Sequence, residues 1–174
     1  MEISYNRFAP FPTVHFDREF TSRGTAAGFP ADLRAWMPAA ELARIVTTAV
    51  RRAEPPPLRP EYVQRWELLL AWSAYAYATG RSSSSEIAAR LGPGLGPSHP
   101  LSFVDDTVVR EFRRLNRTVL EQTLAEILRS AYASRHTCSP APRWNTAPTT
   151  PDFLAEARSR INQCAKHDCW SLDE

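Results

Sequence analysis

Residues 105–133, DDTVVREFRRLNRTVLEQTLAEILRSAYA, decide the fold. Val108, Val109, Phe112, Leu115, Asn116, Val119, Leu120, Thr123, Leu124, Ile127, Leu128 and Ala131 recur at steps of three and four. That spacing places them on one stripe of a single helix of about seven turns. Asp105 suits the N-cap and Asp106 the first turn, where a carboxylate offsets the helix dipole. Arg110, Arg113, Arg114, Arg117 and Glu121 fall on the opposite, solvent-facing side.

Working outward, the same period recurs. Ser83 and Glu86 have capping-box spacing ahead of Ile87, Ala88 and Leu91, which predicts a short helix ended by Gly92. From Pro60 to Thr79 the chain is apolar nearly all round a helix, with Trp66, Leu69, Leu70, Trp72, Tyr75 and Tyr77 among its residues, so this helix is expected to be central. Gly80 fits the left-handed position after it. Leu42, Ile45, Val46, Ala49 and Val50 mark a helix starting near Pro38 and stopped by Pro55. Phe153, Leu154, Ala157, Ile161, Cys164 and Ala165 mark a fifth helix, from about 152 to 168. No stretch reads as a strand ladder.

The expectation is an all-α, single-domain chain of about five helices. Residues 1–35 read as a proline-rich extended arm docking on the body, 36–133 as the helical body, 134–151 as a proline-containing linker and 152–174 as the C-terminal helix. At 174 residues with 43% hydrophobic residues there is enough apolar material for one core. No apolar run is long enough to span a membrane, no secretory h-region opens the chain, and three cysteines fit a reducing compartment, so the expected location is cytoplasmic. The net charge of +2 leaves a nucleic-acid partner open.

The short helix and the long one after it resemble a helix-turn-helix, expanded because residues 92–104 separate them. Between Thr107 and Arg117, four arginines stand against Glu111 alone. Guanidinium groups reach phosphates and the acceptor edge of guanine, and Asn116 has the chemistry to meet adenine or a phosphate. The bland alternative is a solvated amphipathic face. His136-x-Cys138 and Cys164-x₂-His167-x-Cys169 match no standard zinc spacing, and Cys164 lies on an apolar stripe. Asp168, Asp173 and Glu174 lie near the end of the sequence with no framework for a metal. No nucleophile elbow, zincin or phosphate-loop motif is present. No catalytic residue, cofactor or metal is therefore expected, and the chain is not read as an enzyme.

Residues 68–90, LLLAWSAYAYATGRSSSSEIAAR, with Leu91 after them, resemble a segment of the N-terminal domain of bacterial insertion-sequence transposases, the InsH-like transposase N-terminal domain. The run Asp106-Thr107-Val108-Val109-Arg110-Glu111-Phe112-Arg113-Arg114 is similar to the motif that opens that domain's long helix, and Pro30-Ala31-Asp32-Leu33 to its entry. Ser84 departs from the family, standing where a basic residue is common. No match to the RNase H-like catalytic core follows. The resemblance implies a DNA-binding protein of transposition and recombination, truncated before catalysis, acting at terminal inverted repeats. Arg110, Arg113, Arg114, Asn116 and Arg117 would contact DNA, with Arg81 and Arg90 as auxiliary phosphate contacts. A second copy of the chain or a full-length transposase is the implied protein partner. The alternatives are a helical protein–protein interaction module and a non-functional transposase remnant.

Overall fold

The computed structural model describes residues 29–81, 83–91, 104–137 and 152–170. The described residues are all helical apart from their connections, without a strand. They form a one-turn 3-10 helix at Leu33–Ala35 and six α-helices: α1 (Ala39–Arg52), α2 (Pro60–Ala78), α3 (Ser84–Leu91), α4 (Asp106–Leu115), α5 (Arg117–Thr137) and α6 (Phe153–Trp170). Most of the proline-rich arm, the turn at 92–103 and most of the linker lie outside the described residues.

Local chemistry sets the helix ends. The Asp105 carboxylate accepts from the Val108 amide at 2.8 Å, and the Ser83 hydroxyl accepts from the Glu86 amide at 3.2 Å. Asp152 caps α6 through the Leu154 and Ala155 amides. At the end of α2, Arg81 N–H donates to the Ala76 carbonyl and Gly80 N–H to that of Tyr77, the paired bonds of a Schellman motif. Gly80 has φ +74°, and a Cβ there would lie 2.8 Å from the Ala31 carbonyl oxygen. Both the turn and the close approach of residue 31 require glycine.

α2 is the axis of the molecule. Every side chain from Leu69 to Thr79 is buried, as the all-round apolar pattern predicted. α1 and α5 pack along it, α6 lies on α5, and α3 lies on α4. Residues 29–35, which the sequence placed in the extended arm, enter this core through Phe29 and Leu33, both fully buried. The Phe29 ring meets Trp36, Tyr132 and Phe153 at centroid distances of 5.3, 6.0 and 5.9 Å, which ties this segment to α5 and α6.

The long helix expected over 105–133 is two helices, and Asn116 is the reason. Its backbone N–H still donates to the Phe112 carbonyl at 2.9 Å, and its side-chain amide donates to the same oxygen at 3.0 Å. Its Oδ1 accepts from the Trp66 indole N–H at 2.7 Å. The side chain thus shares the Phe112 carbonyl with its own backbone N–H and pins the break to α2. Beyond it the Asn116 carbonyl accepts from the Leu120 amide to begin α5. Two stripe assignments change with the break. Leu115, expected inside, is 67% exposed, because the inward row of α4 runs through Val109, Phe112 and Arg113. Glu121, expected outside, is buried.

Candidate nucleic-acid interface

The α4–α5 junction divides the predicted arginine face in two. Arg113 points inward. Its guanidinium donates to Asp168 Oδ2 at 2.5 Å, to Ser84 Oγ at 3.2 Å and to Cys164 Sγ at 2.9 Å. The two charged side chains are only 11% and 7% exposed. Asp168 also accepts from the Ser84 amide and hydroxyl, each at 2.7 Å. Burial opposes its charge, but the Ser84 amide and hydroxyl and the Arg113 guanidinium together hold its carboxyl below the ordinary value. The expectation that Arg113 lies on the solvent face is therefore corrected: it is the hub joining α3, α4 and α6. Asn116 is likewise committed to Trp66 and to the end of α4.

Arg114 and Arg117 point outward. Arg114 is 75% exposed, with Glu111 at 3.9 Å. Arg117 donates to Glu121 at 2.8 Å and to Asn162 Oδ1 at 2.6 Å. Arg158 of α6 donates to the other oxygen of Glu121 at 3.0 Å. Burial works against the Glu121 charge, yet Arg158 and Arg117 keep its carboxyl below the ordinary value. One buried carboxylate thus serves two half-exposed guanidinium groups, and positive charge is left in excess at the surface. Asn162 and Lys166, both exposed, continue the row from Arg158 along α6 at four-residue steps. Arg158 and Lys166 stand two turns apart, about 12 Å at 1.5 Å per residue. Arg110 is partly exposed and paired within its helix to Asp106.

Arg81 and Arg90 belong to a different corner, between α2 and α3. They line a cleft of about 10 Å³ beside Trp72 and Tyr75, room for one water at most. Burial, then the nearby Arg90 and Arg34, lowers the pKa of Arg81.

Several determining residues were not singled out by the sequence. Arg160 is buried, pairs with Glu156 at 2.7 Å, and donates to the carbonyls of Pro30, Ala31, Tyr77 and Ala78 at 2.6, 3.0, 3.2 and 3.3 Å. It thereby adds a charged donor to the carbonyls at the end of α2 and holds the entering chain and α6 against them. The i,i+4 spacing of Glu156–Arg160 and Arg117–Glu121 was a usable signal. Nothing local marked Asp168 as the partner of Arg113. Cys164 is buried and its thiol is pushed up to about 11, chiefly by burial, so it is a poor nucleophile at neutral pH. Among the described residues no three His, Cys, Asp or Glu side chains are grouped to hold a metal, and no helix is long and apolar enough to cross a membrane. No protein-family profile matches the chain, and neither a curated protein nor a solved structure is significantly similar to it.

Proposed function

We propose that the chain binds DNA through the phosphate backbone, with Arg114, Arg117, Arg158 and Lys166 as its contacts and no transposase catalysis of its own. The observation that carries this is the sharing of Glu121 between Arg117 and Arg158, in line with Lys166, which leaves a basic row across α5 and α6. Such a row attracts a polyanion by charge and counterion release, with no need for base contacts. Reading bases from α4 in the manner of a recognition helix would need Arg113 and Asn116, and both side chains are engaged inside the fold. The resemblance to transposase N-terminal domains supports the same partner, with the terminal inverted repeat as the DNA it would meet in the cell.

A labelled duplex titrated by fluorescence anisotropy tests the proposal. Arg114→Gln and Arg158→Gln together are expected to weaken binding while the melting temperature stays within about 2–4 °C of the parent, the equivalent of roughly 1 kcal/mol. A second reading, a helical protein–protein interaction module, rests on Tyr62 and Leu115, which are 52% and 67% exposed. Tyr62→Ser should leave DNA binding intact. Unchanged DNA binding by the double arginine variant would favour the interaction module instead.

A further inference from the structure

The surroundings of Asp168 have the composition of a phosphate site. The N-terminus of α3 supplies the Ser84 amide and hydroxyl, α4 supplies the Arg113 guanidinium, and all of these donate to one carboxylate carried in on α6. A helix N-terminus, a hydroxyl and a forked guanidinium are the donors that tetrahedral oxyanions select. A fourth donor stands beside them. The Tyr77 hydroxyl belongs to a side chain 1% exposed, sits beside Arg113 and Cys164, and has no hydrogen-bond partner of ordinary geometry among the described residues. Asp168 does not engage it. A buried hydroxyl left over after the carboxylate is satisfied fits a larger acceptor with more oxygens.

We infer that Ser84, Arg113 and Tyr77 form an oxyanion receptor for a phosphate group, filled in cis by the Asp168 carboxylate of α6. While α6 is docked, Arg113 is withheld from solvent. When the end of α6 leaves, the receptor opens beside Arg114 and Arg117. Inorganic phosphate and the DNA backbone share the chemistry the site would recognise. The receptor itself does not depend on the DNA-binding proposal.

The test vacates the site. Asp168→Ala is melted in potassium phosphate, potassium formate and potassium chloride at matched ionic strength, beside the parent chain and Arg113→Ala/Asp168→Ala. The parent sets the general stabilising effect of phosphate salts. At phosphate about a hundredfold above its dissociation constant, Asp168→Ala should gain roughly 5 °C or more over the parent's own shift. The double variant should lose that gain. If Asp168→Ala is unfolded in chloride, phosphate should restore its helical circular dichroism, and Asp168→Ser repeats the melt with a hydroxyl retained. No phosphate-specific gain in any of these variants, or rescue by formate and not by phosphate, overturns the receptor. A second arm separates the ligand sources. If DNA uses the vacated site, the slope of log K against log salt for Asp168→Ala steepens by about 0.9, one added contact. A phosphate gain with an unchanged slope assigns the receptor to free phosphate. Failure of DNA binding throughout leaves the phosphate result standing, so the two proposals fail separately.

Discussion

Arg113 and Arg114 are neighbours in sequence and should behave as opposites. Truncating Arg113 to alanine removes the guanidinium that faces Asp168, where both side chains are about nine-tenths buried. The remaining carboxylate keeps its Ser84 bonds but loses its counter-charge. Breaking a buried pair from one side costs about 3–5 kcal/mol, because a desolvated charge is left without compensation. For a chain of this size that is a fall in melting temperature of roughly 6–20 °C. Arg114→Ala removes a side chain 75% exposed, whose nearest carboxylate is 3.9 Å away, and should cost less than about 0.5 kcal/mol. Urea denaturation of both variants measures the difference directly. Arg113→Met/Asp168→Leu, which removes both charges, should recover much of the loss, since apolar replacement of a buried pair is often neutral. If Arg113→Ala and Arg114→Ala share the parent's urea midpoint, the buried hub is wrong, and with it the division of the arginine face.

Further outcomes follow from other parts of the structure. Gly80→Ala forces a left-handed residue to carry a Cβ and sets that Cβ 2.8 Å from the Ala31 oxygen, so it should destabilise by more than about 1–2 kcal/mol in a thermal melt. Asp168 has a depressed folded pKa, so its contribution is present above the unfolded value near ~4 and is lost as pH falls through the lower folded one. Asp168→Asn should flatten that part of the acid-side stability curve, and an unchanged curve would contradict the assignment. Cys164 has the opposite sign. Its raised thiol pKa of about 11 gives stability that is full below the unfolded value and fades as pH climbs through the folded one. Iodoacetamide with peptide mapping should modify exposed Cys169 in the folded chain and reach buried Cys164 only in denaturant.

What was legible in the sequence was local. The all-round apolar pattern of 60–79 announced a buried axis, Gly80 announced its left-handed end, and Asp105 and Ser83 announced two helix starts. These signals lie within one or two turns of the feature they report. The break at Asn116 was not legible, because the asparagine occupies a stripe position and its deciding partner, Trp66, is fifty residues away. The fate of Arg113 depends on Asp168, fifty-five residues on, which the sequence marks only as the end of the last helix. A helical pattern reports which way a side chain leaves its own helix, and says nothing of which helix arrives to meet it. Arg113 leaves α4 toward the interior, and what decides its fate is that α6 brings Asp168 to meet it.

The central claim, that Arg114 of α4 and the basic row across α5 and α6 hold DNA by its phosphates, is tested most directly by the salt dependence of binding. With Arg114, Arg117, Arg158 and Lys166 each meeting one phosphate, log K should fall against log salt with a slope near −3.6, from about −0.9 per contact. Changing all four to glutamine, with Glu121→Gln added so that no buried carboxylate loses its counter-charge, should abolish most of that slope and keep the fold. A flat salt response of the parent chain, or a combined variant that binds DNA with the parent's affinity and slope, would contradict the account.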